Sequence, residues 1–163
     1  AARFLNIEAK RGGRYLPENT TWAKASVAHN TLVVDETSHF DGKGKYADQF
    51  WPTQTYFSDA DGLQVSSGMI DSAYPGVSMK RTLLMPTIPG LEEPLVIDLV
   101  QASSEDAHQY DLPLHYSGHI MEYDFEAQRN VAERPVLGSA NGYQHIWIDA
   151  VAKQATGKGA GAR

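Results

Sequence analysis

Residues 53–85 read TQTYFSDADGLQVSSGMIDSAYPGVSMKRTLLM, and this stretch decides the fold. It contains three runs rich in β-branched, aromatic and aliphatic residues, at 53–57, 63–67 and 79–85. The pairs Asp61-Gly62 and Pro75-Gly76 separate these runs, and such residues favour tight reversals of the chain. The stretch therefore predicts successive β-strands joined by turns.

Further runs of this type extend the pattern along the chain, at 4–9, 29–34, 95–100 and 143–150. Alternation in the last run places Tyr143, His145 and Trp147 on one strand face. There is almost no helix signal. Many short strands at this spacing are typical of an antiparallel sandwich or barrel, and we predict an all-β, antiparallel domain of one of these two types over residues 1–151. The glycine-rich residues 152–163 are predicted to be a flexible tail or a cut end.

Composition limits the class of protein. The 163 residues are 42% hydrophobic, which suits one globular domain with a core. The absence of cysteine excludes disulfides, zinc-thiolate sites and cysteine nucleophiles. The formal charge of -6 argues against nucleic acid as a partner, and no apolar run approaches the roughly 20 residues that span a bilayer.

The beginning of the chain carries no recognisable leader. The first residues, AARFLNIE, already have a strand-like pattern, and the chain has no initiator methionine. We therefore expect the chain to be an excised or incomplete piece of a longer protein. A cysteine-free composition suits either a cytoplasmic or a bacterial periplasmic protein.

The stretch 26–36, SVAHNTLVVDE, carries the first candidate site residues. His29 and Asn30 stand together at the predicted entrance of a strand. A histidine beside an amide can recognise a carboxylate and move a proton, because the imidazole titrates near neutral pH and both side chains donate hydrogen bonds. The alternative is a structural histidine satisfied within the fold.

A histidine-rich segment, HQYDLPLHYSGH, follows at 108–119. Its spacing matches no standard zinc signature, and Pro113 and Gly118 argue against a helix. His115 and His119 point to the same side of an extended segment. The segment predicts either a polar wall of a sugar-binding cleft or a loop whose side chains satisfy one another.

Two further observations narrow the chemistry. The sequence has no Gly-x-Ser-x-Gly elbow and no glycine-rich phosphate loop, so neither a serine hydrolase of that type nor a nucleotide site is indicated. Asp98 interrupts the apolar run 95–100. It either faces solvent or, if it is buried, requires a partner such as Arg81 or a backbone donor.

Four segments, taken together, resemble the C-terminal β-domain of heparinase II/III-like polysaccharide lyases, which cleave uronic-acid polymers. The order and spacing of the segments are similar to that family, and the motifs HYSGH and GYQHIW are most similar to its oligoalginate-lyase branch. The four segments are 25–36, 74–85, 108–121 and 138–147.

The resemblance implies that this all-β domain is an antiparallel β-sandwich. It also implies β-elimination at a uronic acid, in a cleft between this domain and an N-terminal α/α toroid. The principal catalytic tyrosine and the Asn/His pair of the family lie on the toroid, so this chain by itself is expected to be inactive or nearly so. The matching segments imply that His29 is the catalytic residue of this domain. They also imply substrate-binding roles for Asn30, Tyr74, Arg81, His115, Tyr116 and His119.

One departure from the family concerns metal. Several relatives hold zinc in this domain through histidines and an aspartate, but Thr31 and Met79 occupy positions where histidines are often found. Asp48 is the remaining candidate carboxylate ligand. We therefore predict no structural zinc, and no other metal or cofactor.

The resemblance also implies partners and a location. The expected partners are an acidic polysaccharide or oligosaccharide, of alginate or heparin type, and the toroid domain, with no nucleic acid and no membrane; a homodimer is left open. The expected location is periplasmic or secreted in a bacterium. The alternative function is a non-catalytic β-sandwich that binds carbohydrate or serves as an interface.

Overall fold

The computed structural model describes residues 10–11, 14–15, 17–118, 120–122, 124–130 and 132–153. The chain forms two compact units: a first unit of Ala1–Ser38 with Tyr110–Arg163, and a second unit of His39–Gln109. The predicted run 4–9 and nearly all of the predicted tail lie outside the described residues. The predicted domain limits, 1–151 and 152–163, stay predictions.

Short strands dominate the described residues, and all named pairings between them are antiparallel. The strands are β1 (Lys10–Arg11), β2 (Arg14–Tyr15), β3 (Val33–Val34), β4 (Thr53–Ala60), β5 (Leu63–Tyr74), β6 (Val77–Pro86), β7 (Ile97–Ser103), β8 (Tyr110–Asp111), β9 (Gln128–Arg129) and β10 (Ala150–Val151). The α-helix found in this part of the chain, α1, spans only Gly44–Ala47. The predicted all-β class is confirmed, and these antiparallel sheets with few helices are consistent with the predicted sandwich.

The second unit contains a four-stranded sheet in the order β4-β5-β6-β7, so strands adjacent in the chain are adjacent in the sheet. Asp61 and Gly62 close the first hairpin, and Gly62 has a φ of 84°. Pro75 and Gly76 close the second, where Gly76 has a φ of 72°. Proline followed by a glycine with positive φ is the combination that a type II turn requires. The predicted strands and turns of residues 53–85 are confirmed.

One face of this sheet has an apolar region partly open to solvent, beside the polar Ser67 and Thr82 of the same face. The register places Leu63 and Val65 on the same face as Leu84, and Leu84 pairs with Ile97. Leu63 remains 41% exposed, Ile97 40% and the neighbouring Leu99 50%.

Asp98 pairs with Arg81 across β6 and β7. The Arg81 Nε donates to Asp98 Oδ1 at 2.9 Å, and a second guanidinium nitrogen donates to Oδ2 at 2.6 Å. The hydrogen bond that Arg81 donates to Asp98 raises the pKa of Arg81 above its ordinary value. Asp98 is exposed as a residue, with 27% of its side chain open to solvent, and Arg81 is the partner that the sequence suggested.

The first unit is built from two-residue strand pairs around a small core. β3 pairs with β8, β9 with β10 and β1 with β2, and an isolated bridge joins Val136 to Trp147. The core cluster contains Ala25, Val27, Val33 and Tyr143, with Trp22 and Ile146 packed against it. Short turns rather than long strands supply most of this core.

The predicted strand 29–34 is much shorter than expected, because only Val33–Val34 form β3. Ser26–Ala28 form a 3₁₀ turn instead, preceded by a π-type turn at Asn19–Ala23. The His29 N–H donates to the Ser26 carbonyl at 3.0 Å, and the Thr31 N–H donates to the His29 carbonyl at 2.9 Å. Local turns therefore satisfy the backbone groups that a strand would have presented to a neighbour.

The predicted strand 143–150 is wrong over its first part. Tyr143–His145 form a 3₁₀ turn, whereas Trp147 makes an isolated antiparallel bridge to Val136 and Ala150–Val151 form β10. Positive φ values at Asn141 (53°) and Gly142 (96°) redirect the chain just before the turn. The expected aromatic face does not form, because Tyr143 is 2% exposed while Trp147 is 58% exposed.

Tyr143 is the largest fully buried side chain, and its hydroxyl donates to the Asp111 carboxylate at 2.5 Å. We expect Tyr143→Phe to lower the free energy of unfolding by about 1–2 kcal/mol, because a hydrogen bond to a charged acceptor is lost inside the first unit. Urea denaturation measures this change. Tyr56→Phe, at a side chain 57% exposed, should leave stability unchanged; equal losses in both variants would contradict the assignment.

No described helix is long and apolar enough to cross a membrane.

Candidate functional site

His29 ends the 3₁₀ turn of the first unit and is half-buried. Its Nε2 lies 2.9 Å from the Ala23 carbonyl oxygen. A carbonyl can only accept, so Nε2 carries the hydrogen, and in the neutral ring the lone pair is on Nδ1. The fold therefore selects the tautomer of His29.

His115 is held in the same way by the same segment. Its Nε2 lies 2.7 Å from the Val27 carbonyl oxygen, so this ring also donates through Nε2. The edge of the Trp22 ring meets it at a centroid distance of 5.8 Å. Both candidate histidines thus use carbonyls of residues 23–27 as their acceptors.

Asn30 joins His115 to this segment. Its Nδ2 donates to the His115 carbonyl at 3.1 Å, and its Oδ1 accepts from the His115 N–H at 2.5 Å. The two residues are separated by 85 positions in the sequence. We call His29, Asn30 and His115 the histidine site.

The histidine site can move a proton and can recognise a carboxylate. Each neutral ring, anchored through Nε2, carries its basic lone pair on Nδ1. Each protonated ring is a cation that can pair with a carboxylate. The anchoring segment is well supported, since Ser26, Val27 and Ala28 are buried and the Ser26 N–H donates to the Ser38 hydroxyl at 3.1 Å.

The other predicted site residues are distributed differently. Tyr116 follows His115 in the first unit and is 56% exposed. Tyr74 and Arg81 belong to the second unit. Tyr74 is 5% exposed, and its ring centroid lies 5.2 Å from that of His39. Arg81 pairs with Asp98. His119 lies outside the described residues. The substrate-binding roles of all these residues stay predictions.

Sequence reasoning missed Trp22 and the place of His145. The Trp22 ring has edge contacts with both His115 and His145, the latter at 6.1 Å. His145 also lies 3.0 Å from the Thr21 hydroxyl through its Nε2, at a separation of 124 residues in the chain. No local pattern links positions so far apart, so only the folded chain brings them together.

An open pocket of about 440 Å³ lies in the second unit. Asp71 and Glu105 line it, together with Ser78, Ser103 and Ser104. Two carboxylates would repel a polyanion, so this pocket does not suit a uronate. The histidine site is the better candidate for such a ligand.

Metal ligands do not gather in the described part of the chain. Within it, no three His, Cys, Asp or Glu side chains lie close enough together to hold an ion. The predicted ligand candidate Asp48 follows α1, where its N–H donates to the Gly44 carbonyl at 3.0 Å. The expected absence of structural zinc stays a prediction.

Comparison with known proteins gives the family. The family model for the heparinase II/III-like C-terminal domain matches residues 4–160. The chain is 53% identical over 154 residues to a protein named alginate lyase from Stenotrophomonas maltophilia, covering 94% of this chain and 21% of that protein. It is 45% identical over 148 residues to one named exo-oligoalginate lyase from Saccharophagus degradans, covering 91% of this chain and 20% of that protein.

The chain thus spans about a fifth of the length of the curated relatives that it matches. The match to the family model covers almost the whole chain, and it confirms the resemblance seen in the sequence. The chain belongs to the heparinase II/III-like C-terminal family.

Proposed function

We propose that the protein cleaves uronic-acid polysaccharides or oligosaccharides by β-elimination, and that this chain supplies one wall of the active-site cleft. The observation that carries the proposal is the histidine site, in which the Nε2 atoms of His29 and His115 are anchored on backbone carbonyls. The names of the two relatives, alginate lyase and exo-oligoalginate lyase, support the reaction class.

The chemistry explains why such residues are needed. In β-elimination a base takes the proton from C5 of the uronate, a C4–C5 double bond forms, and the C4–O bond breaks. An acid then protonates the leaving oxygen. The C5 proton is weakly acidic until the neighbouring carboxylate is neutralised, since negative charge accumulates there in the transition state.

His29 meets one of these needs from the side of this domain. In its neutral form the Nδ1 lone pair can take a proton, and in its protonated form the ring can neutralise the uronate carboxylate. His115 supplies a second anchored imidazole for binding the substrate. The principal base and acid are proposed to lie on an α/α toroid in the same natural polypeptide.

The exposed apolar residues of the four-stranded sheet support the proposal that another part of the natural polypeptide packs against this domain. Leu63, Ile97 and Leu99 are at least 40% exposed on that face, and the relatives are about five times as long as the match. Covering such a face removes apolar surface from water and stabilises the arrangement. We propose that the remainder of the natural polypeptide covers it.

Alginate oligosaccharides are the proposed substrate, with heparin-type polymers as the alternative. A polyanion of this kind is encountered outside the cytoplasm, so a periplasmic or secreted location is proposed with it. Cell fractionation tests the location, and recovery of the protein only with cytoplasmic markers would contradict it.

A second function is a carbohydrate-binding module without chemistry. The observation that favours it is the exposure of two aromatic side chains in the second unit. Trp51 is 76% exposed and Tyr46 is 49% exposed. Aromatic faces stack against sugar rings. Such a module binds uronate oligosaccharides but leaves them intact.

One comparison separates the two functions. The complete natural polypeptide should convert oligoalginate into products with an unsaturated non-reducing end, detected by their ultraviolet absorbance and mass. The 163-residue chain by itself should give no such product, because the cleft then lacks its other wall. Sugar binding by the chain alone, with no elimination by the complete polypeptide, would favour the binding module.

A further inference from the structure

The side chain of Asn30 forms hydrogen bonds with the backbone of one residue that is distant in the sequence. Its Nδ2 donates one hydrogen bond to the His115 carbonyl at 3.1 Å, and its Oδ1 accepts one from the His115 N–H at 2.5 Å. The contacts are part-buried. This is the pattern of a strand pair, with a side chain in place of the second backbone.

His115 is consequently attached to residues 27–30 at three points. Two are the Asn30 contacts, and the third is the bond from the His115 ring to the Val27 carbonyl at 2.7 Å. The same segment carries His29. One short segment therefore determines the positions of both imidazoles.

We propose that Asn30 is a positioning residue that acts through His115, seating the His115 ring on the segment that carries His29. This inference rests on the proposed function and sharpens it, because the sequence alone suggested direct contact between Asn30 and substrate. The Asn30 side chain already bonds to the N–H and the carbonyl of His115, whereas the anchored His115 ring presents a group that can meet the uronate.

The chemistry of the side chain makes the role specific to asparagine. Asn30→Asp keeps the acceptor for the His115 N–H but places a carboxylate oxygen against the His115 carbonyl. Asn30→Ala removes both contacts. We therefore expect both variants to lose positioning.

A double-mutant cycle in the complete natural polypeptide tests the proposal. Asn30→Ala should lower kcat/KM on oligoalginate about tenfold to thirtyfold. In the His115→Ala background the further loss from Asn30→Ala should be less than about threefold, since the ring that Asn30 positions is gone. Fully additive losses would show direct contact with substrate and overturn the proposal, as would a His115→Ala variant with unchanged activity.

Hydrogen exchange measured by mass spectrometry gives a second readout that does not depend on activity. In Asn30→Ala the amide N–H of His115 should exchange faster, while peptides from the β4–β7 sheet should keep their rates. Unchanged exchange at His115 would overturn the positioning role even if activity fell. If exchange at His115 were faster in Asn30→Ala but the complete natural polypeptide performed no elimination, the positioning contact would still be supported. The proposed function would then be refuted.

Asn130 offers a matched control in the same unit. Its Nδ2 also donates to a backbone carbonyl, that of Ile148, at 3.1 Å. Asn130→Ala should change neither the exchange rate at His115 nor kcat/KM. If Asn130→Ala reproduced the effects of Asn30→Ala, the loss would reflect general loosening of the unit, and the proposal would fail.

Discussion

Replacing His29 by alanine in the complete natural polypeptide should lower the rate of elimination on oligoalginate by about two to four orders of magnitude, the usual contribution of a positioned proton-transfer group. The imidazole is anchored through Nε2 on the Ala23 carbonyl at 2.9 Å, and removing it takes away the Nδ1 atom that faces the chemistry in our proposal. The rate of formation of unsaturated product measures the effect.

His29→Gln separates this role from a structural one. The glutamine amide nitrogen can still donate to the Ala23 carbonyl, but it neither accepts a proton nor carries a charge. We expect this variant to fold with normal stability and to lose activity as His29→Ala does. His108→Ala is the matched control, since His108 contacts Ser104 in the second unit and should be dispensable. Turnover by His29→Gln close to that of the unchanged enzyme would remove His29 from the mechanism.

Gly142→Ala should lower the free energy of unfolding by about 3 kcal/mol, combining a left-handed backbone cost of roughly 1–2 kcal/mol with a crowding cost of roughly 1–3 kcal/mol. The φ of Gly142 is 96°. A Cβ atom there would lie 2.6 Å from Val27 Cγ1 and 2.8 Å from the Ala25 Cβ. Denaturant unfolding measures the change, and the histidine site should be perturbed as well, because Val27 anchors His115.

Two other glycines separate the two costs. Gly62 has a φ of 84° with no atom within 4 Å of an added Cβ, so Gly62→Ala should show the backbone cost alone. Gly44 begins α1 with open space and no positive φ, so Gly44→Ala should change stability by less than about 0.5 kcal/mol. If Gly142→Ala and Gly62→Ala lowered the free energy of unfolding equally, the backbone around Gly142 would have moved to relieve the crowding of the added Cβ atom.

The hairpins of the second unit could be predicted from the sequence because their information is local. Asp61-Gly62 and Pro75-Gly76 specify reversals by their own backbone preferences, and the flanking residues favour extended chain. The strands are nevertheless longer than predicted, as β5 continues to Tyr74. Pairing with both neighbours extended it through Gly68, a residue with weaker strand preference.

The two wrong or shortened strands, at 143–150 and 29–34, belong to the first unit, where tertiary contacts outweigh the alternating pattern. Tyr143 alternates correctly with its neighbours, but its hydroxyl bonds to Asp111 and its ring enters the core, which favours a 3₁₀ turn over a strand. Sequence reasoning recognised His29 and Asn30 as a polar pair, yet it had no way to join Asn30 to His115, 85 residues away.

By itself the sequence determined the all-β class, the turns at Gly62 and Gly76, and the family, because backbone preferences and motifs depend on residues that are neighbours in the sequence. Only the tertiary structure decided which nitrogen of His29 and His115 carries the hydrogen, and that Asn30 holds His115. The His115 features depend on partners 85 and 88 residues away that folding brings within about 3 Å, and the His29 tautomer depends on a local turn that places the Ala23 carbonyl, six residues away, at 2.9 Å.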